Sequence, residues 1–186
     1  MILGAVSGKP KWVSGMSNIL PATSQRTAIV GEIIWLLSYS ELHCHWPIGS
    51  IRQWVLPAIE HNQFRVYRRH GKPRGYVSWA WMSRVCEEAY ISNTQSLNSE
   101  GWQSGSRGWI IDFVAPFGDA KAMVKDLWHN IFPDQVGRAL RTHKGSDTLY
   151  VHYLHGARAV AKARDEKQNP RVTLPSAEDT ETARII

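Results

Sequence analysis

"WIIDFVAP", residues 109 to 116, is the stretch on which the fold turns. β-Branched and aromatic residues run up to a proline stop, the pattern of a buried strand. On a strand, side chains alternate between faces. A regular pleat therefore sends Trp109, Ile111 and Phe113 one way and Ile110, Asp112 and Val114 the other. Both faces are apolar except at Asp112. A carboxylate set among hydrophobes needs a cation or several hydrogen-bond donors. Asp112 is thus the most informative acid in the chain.

Outward from this strand, Asp119 is placed to cap a helix "AKAMVKDLWHNIF" that ends before Pro133. Two strands, "QVGRALR" and "TLYVHYLH", follow, and then a last helix in "ARAVAKARDEKQ". Upstream, "QFRVYRRHGKPRGYVSWAWM" has the form of a β-hairpin turning at "HGKP". After it, "SRVCEEAYI" reads as a short helix capped by Ser83. Ile29, Ile33, Leu36 and Leu37 recur at helical spacing from Thr27 on, which marks a first helix. A second, "IRQWVLPAIEHN", starts at Ser50, kinks at Pro57 and stops near Asn62. Helices first, then a hairpin, then strand–helix–strand–strand predict an α/β (α+β) domain with a central, mostly antiparallel sheet flanked by helices. The expected division is an N-terminal arm (1–24), one domain (25–168) and a polar tail (169–186).

The 186 residues are 43% hydrophobic and 20% charged, ordinary for a soluble globular domain. The longest apolar run, "IIWLL", is far too short to span a bilayer, and "MILGAV" lacks the basic start of a signal peptide. Two cysteines are too few for a disulfide framework, so the expected compartment is the cytoplasm. A net charge of +6 points to an acidic partner: nucleic acid, an anionic membrane face or an acidic carrier protein. The densest basic run, "RVYRRHGKPR", carries Arg65, Arg68, Arg69 and Arg74. The nine tryptophans follow no period and suit core packing and cleft walls, with one or two available to line an apolar channel.

"SELHCHWP" (40–47) sets His43 and His45 around Cys44. Two histidines two apart can ligate an ion, but no further cluster supplies the remaining ligands of a zinc site. Cys44 beside two imidazoles can serve as a nucleophile, or simply as a small hydrophobe. A histidine general base needs a carboxylate to position it, and Asp112 needs such a partner. On residue types alone, these readings stand beside that of a structural histidine.

From about Gly31 to about Gly156 the chain resembles the toxin-activating lysine acyltransferases of RTX toxins, typified by the hemolysin activator. The resemblance rests on ordered blocks: "GEIIWLLSYSELHCHWP", "VLPAIEHNQF", "GYVSWAWM", "GWQSGSRGWIIDFVAPFGD", "FPDQVGRALR" and "HGAR". The family pattern of Leu-His, two variable residues and Trp-Pro falls on Leu42, His43, Trp46 and Pro47. It implies that His43 is catalytic and leaves Cys44 and His45 in variable slots. The family's aspartate before Ala-Pro-Phe-Gly falls on Asp112.

The resemblance also implies a GNAT-like fold and an acyl carrier protein as acyl donor, with no bound cofactor or metal. It implies an RTX protoxin as acceptor and leaves a homodimer open. The coenzyme A signature of GNAT enzymes is absent from the sequence. Arg65, Arg68, Arg69 and Arg74 then become candidates for carrier binding, and Trp79 and Trp81 for an acyl channel. The competing readings are a coenzyme A-dependent acyltransferase of the same fold and a basic nucleic-acid-binding module.

Overall fold

The computed structural model describes residues 20–142 and 149–168. The expected tail, and the arm up to residue 19, lie outside the described residues. Helix α1 (Leu20–Ser38) starts earlier than the apolar periodicity marks and takes in residues 20–24. It buries Ile33, Leu36 and Leu37. A π-helical turn at Ile51–Val55 passes into α2 (Leu56–Glu60). Pro57 sits in the first turn of α2, directly after the π turn.

Strands β1 (Phe64–Arg69) and β2 (Lys72–Met82) form the hairpin. Its turn places His70 at φ 51° and Gly71 at φ 74°. Two successive positive φ values match the twist of the flanking strands. Helix α3 (Arg84–Ser92) is capped by Ser83, whose side chain accepts from Cys86 N. Then come β3 (Arg107–Val114), α4 (Ala120–Asp126) running into a π turn (Leu127–Ile131), β4 (Val136–Thr142), β5 (Leu149–His155) and α5 (Val160–Gln168).

The five strands lie in the order β1-β2-β3-β4-β5. Every neighbouring pair is antiparallel except β3 and β4, which are parallel and joined through α4. This mixed α/β architecture is consistent with a GNAT-like fold. Residues of α1, α2 and α3 pack against one face of the sheet. The other face carries Leu127, Trp128 and Phe132, together with Val77 and Ile110.

Two irregularities shape the middle of the sheet. Val77 pairs with Phe113 and Trp79 with Ile110, so Ile111 and Asp112 together stand opposite Ser78. This bulge corrects the regular pleat expected for 109–116. Trp109, Ile111, Asp112 and Val114 all turn to the α1–α3 face, whereas Ile110 and Phe113 pack on the other. Bulges of this kind re-aim a side chain. The second irregularity is that β3 and β4 pair only from Gly108↔Gly137 to Ile110↔Ala139. Beyond that point the parallel ladder ends, beside the bulge.

Asp119 precedes α4 as expected, but its side chain makes no capping bond. Arg69 Nη2 and Arg74 Nε hold its two oxygens at 2.9 and 2.8 Å.

Candidate active site

His43 lies in a tight turn after α1, where its own N–H and that of Cys44 both donate to Ser40 O at 2.9 Å. The turn buries His43, which is 5% exposed. Cys44 and His45 point outward, and the Cys44 thiol donates to Glu41 O at 3.6 Å. Among the described residues, no three His, Cys, Asp or Glu side chains are grouped to hold a metal ion.

Inside the turn, His43 Nε2 is 3.2 Å from Asp112 Oδ1 and Nδ1 is 2.7 Å from Ser40 Oγ. The Trp46 ring meets the imidazole edge-on at 4.5 Å between centroids. Asp112 is 6% exposed. Its Oδ2 accepts from Ser78 Oγ at 3.4 Å, and its own N–H donates to the same Oγ at 3.2 Å. A carboxylate only accepts, so a neutral imidazole presents Nε2–H to Asp112. The lone pair then sits on Nδ1, facing the Ser40 hydroxyl. Ser40, His43 and Asp112 therefore form a continuous hydrogen-bonded chain that can take up a proton at Nδ1 and stabilise the resulting imidazolium.

Two buried phenols flank this carboxylate. Burial pushes Tyr76 and Tyr90 well above the usual tyrosine range, and the nearby charge of Asp112 adds to the rise. Ser78 partly offsets it for Tyr76, although the Tyr76 hydroxyl makes no hydrogen bond among the described residues.

Ser40, Ser78 and Tyr76 escape the sequence reading. Ser40 precedes His43 by three residues, a spacing that a tight turn brings into contact. Ser78 is the one serine in "YVSWAW", but only the bulge sets it opposite Asp112.

The four arginines of the basic run stand on the β1–β2 hairpin, and each meets an acid. Arg65 pairs with Asp126 at 3.2 Å, and Arg68 holds both oxygens of Glu32. Arg69 and Arg74 share Asp119, and Arg74 also lies over the Phe117 ring at 4.7 Å. The hairpin tip projects beyond the Tyr76↔Val114 pair, past the carboxyl end of β3. Trp79 and Trp81 pack with Phe132 on the sheet face opposite Asp112.

A family profile described as the RTX toxin acyltransferase family matches residues 22–154. The chain belongs to this family. The protein-lysine myristoyltransferase RtxC of Kingella kingae is 40% identical over 133 residues, covering 72% of this chain and 79% of the relative. The RTX-I toxin-activating lysine-acyltransferase ApxIC of Actinobacillus pleuropneumoniae is 38% identical over 130 residues, with 70% and 75% covered. The protein-lysine myristoyltransferase HlyC of Escherichia coli is 39% identical, with 70% and 76% covered. As a member of the RTX toxin acyltransferase family the chain is an acyltransferase, and the matched region contains Ser40, His43, Ser78 and Asp112. Among the described residues, no helix is long and apolar enough to cross a membrane.

Proposed function

We propose that this chain transfers a fatty acyl group from an acyl carrier protein to internal lysine ε-amines of an RTX protoxin, using His43 as general base and Asp112 to position it. The observation that carries this reading is the buried Ser40–His43–Asp112 chain of hydrogen bonds. The names of the relatives supply the substrate class.

A lysine with a pKa near 10.4 costs about 4–5 kcal/mol to hold neutral at pH 7, so the amine is the difficult partner. The ammonium first releases one proton to water; the neutral nitrogen then attacks the thioester carbonyl carbon as a second proton passes to the Ser40 hydroxyl, whose own proton moves to His43 Nδ1. Asp112 stabilises the imidazolium. The C–S bond breaks, the amide forms, and the imidazolium proton goes to the departing thiolate of the carrier.

The 2.7 Å Ser40–His43 contact also fits a second reading, in which Ser40 Oγ accepts the acyl group first and the lysine amine then displaces it. Membership of an acyltransferase family, with a buried His43–Asp112 pair that a nucleic-acid module would not need, weighs against that rival reading.

The test is incubation with carrier protein bearing a labelled myristoyl chain and the protoxin, followed by mass mapping of lysines, with myristoyl coenzyme A as a parallel donor. Label on lysine from the carrier alone supports the reading. Transfer from coenzyme A alone replaces the donor, and no transfer from either rejects the function. A chain trapped on Ser40 before toxin is added selects the two-step route.

A further inference from the structure

On the α4 face of the sheet, behind the site, Trp79, Trp81, Ile110, Trp128, Phe132 and Val136 line a small apolar crevice. We infer that this crevice holds the methyl end of the acyl chain, and that Gly108, Gly137 and Phe132 set the length it accepts. The inference rests on the fatty-acyl-transfer reading above.

The floor is built from two glycines that are register partners in the parallel β3–β4 ladder. A methyl group on Gly108 would come within 2.9 Å of the Trp81 ring, and one on Gly137 within 2.7 Å of the Trp128 ring. The glycines thus let both indoles lie directly on the strand backbones. Glycine weakens a strand interior and marks sites of close approach. Phe132 stands among the tryptophans, with centroids 5.0 Å from Trp79, 5.8 Å from Trp81 and 5.9 Å from Trp128. It closes a π turn, a helix irregularity frequent at functional sites.

The crevice and the site share a wall. Trp79 and Ile110 are register partners, and the next residues along are Ser78 and the Ile111–Asp112 bulge. The β3–β4 ladder ends at Ile110↔Ala139, so the strands stop pairing where the crevice meets the bulge. On this proposal, a chain whose thioester lies at His43 reaches the other face by parting the strands beyond Ile110 and Ala139, where no ladder hydrogen bonds have to break. Gly108 is four residues before Asp112, roughly 13 Å along a strand. Apart from Gln135 and the two glycines the walls are aromatic and aliphatic, and a polar occupant would lose most of its hydrogen bonds to water without replacement. An alkyl chain is the occupant that fits.

The experiment uses the full chain with carrier protein loaded with octanoyl, lauroyl, myristoyl or palmitoyl groups, and the protoxin as acceptor. Gly137→Ala is expected to shift the preference toward shorter chains and Phe132→Ala toward longer ones, each changing the myristoyl-to-octanoyl ratio by about tenfold. Melting curves establish that each variant is folded. In parallel, a myristoyl pantetheine thioester with a terminal diazirine is photolysed on the wild-type protein, and the adducts are mapped. Adducts on Trp79, Trp81, Trp128 or Phe132 are expected. Adducts elsewhere, or none, overturn the proposal even if Gly137→Ala fails to fold. Normal transfer with unchanged chain preference in a folded Phe132→Ala also overturns it, while leaving the catalytic reading intact. Crevice adducts without transfer to any lysine would instead support the crevice and reject the proposed reaction.

Discussion

His43 and Asp112, 69 residues apart in the chain, meet at 3.2 Å through Nε2 and Oδ1, with both side chains almost wholly buried. The two arrive from different kinds of structure. One sits in a turn that follows α1, the other in a strand bulge that Ser78 closes from β2. A buried carboxylate is costly unless every oxygen finds a partner. Here Oδ1 has the imidazole and Oδ2 the hydroxyl. The site is therefore also part of what joins α1 to the sheet.

Replacing either member should remove the general base or its orientation. His43→Ala and Asp112→Ala are each expected to lower kcat by roughly 100- to 10,000-fold, with His45→Ala keeping most activity. Single-turnover transfer to the toxin measures this. Substantial turnover in a folded His43→Ala protein would sink the assignment.

Much of this arrangement is legible in the sequence. The β-branched run at 109–116, the turn formers at His70–Gly71 and the Ser83 cap each act locally, and each element forms where its pattern predicts. Asp112 stands out because a carboxylate in an apolar strand needs a partner. The bulge is not legible. It depends on the pairing of β3 with β2, and one extra residue in that register carries Asp112 to the same face as Ile111. Asp119 misleads for a similar reason, since two arginines distant in sequence outcompete the local N–H groups for its carboxylate. Glu87 is hidden in "CEEAY", where nothing separates it from the exposed Glu88.

Cys44 lies outside the hydrogen-bonded chain and is exposed. Cys44→Ser should therefore retain near-normal acyl transfer, and a chelator should leave the rate unchanged. An acyl chain trapped on Cys44, with loss of activity in the folded serine variant, would transfer the chemistry to the thiol.

Glu87 is 1% exposed and ties three parts of the fold together. Its carboxylate accepts from Arg107 Nε and, at 2.8 Å, from Trp109 Nε1 on β3, and it lies 3.4 Å from Arg138 Nε on β4. Removing one partner of a buried ionic group leaves the others uncompensated, at a cost of about 3–5 kcal/mol. Glu87→Ala should lose stability on that scale in urea titrations. A loss below about 1 kcal/mol, the ordinary worth of an exposed pair, would show that the cluster is not acting as a buried one.

Tyr76 gives a prediction in pH. Its phenol is fully buried and makes no hydrogen bond among the described residues, and its pKa is raised first by burial and then by Asp112. Tyr90 shifts the same way. Above pH about 10 the unfolded chain releases phenolic protons that the native state still holds, so stability falls as pH rises. Below that pH the contribution is intact. Tyr76→Phe should flatten the alkaline decline and add about 1 kcal/mol at neutral pH by removing an unsatisfied hydroxyl. Urea melts across the alkaline range test both. Lower stability with lost activity would mean that the hydroxyl serves the site.

The last prediction concerns the donor. The hairpin tip lies past the carboxyl end of β3, the end toward which the Asp112 bulge lies, so a carrier docked there would approach the site. Arg65 and Arg69 are 50% and 64% exposed and keep donors facing water beside their acids. Arg68 is less suited to substitution, because reversing its charge would set a second carboxylate against Glu32. Exposed pairs add little stability, so Arg65→Gln with Arg69→Gln should fold normally. The double variant should raise KM for the acidic carrier several-fold at unchanged kcat, and added salt should do the same to the wild type. Unchanged carrier kinetics in a folded double variant would move the docking surface away from the hairpin. The chemistry at His43 would be untouched by that outcome, since neither arginine contacts the hydrogen-bonded chain.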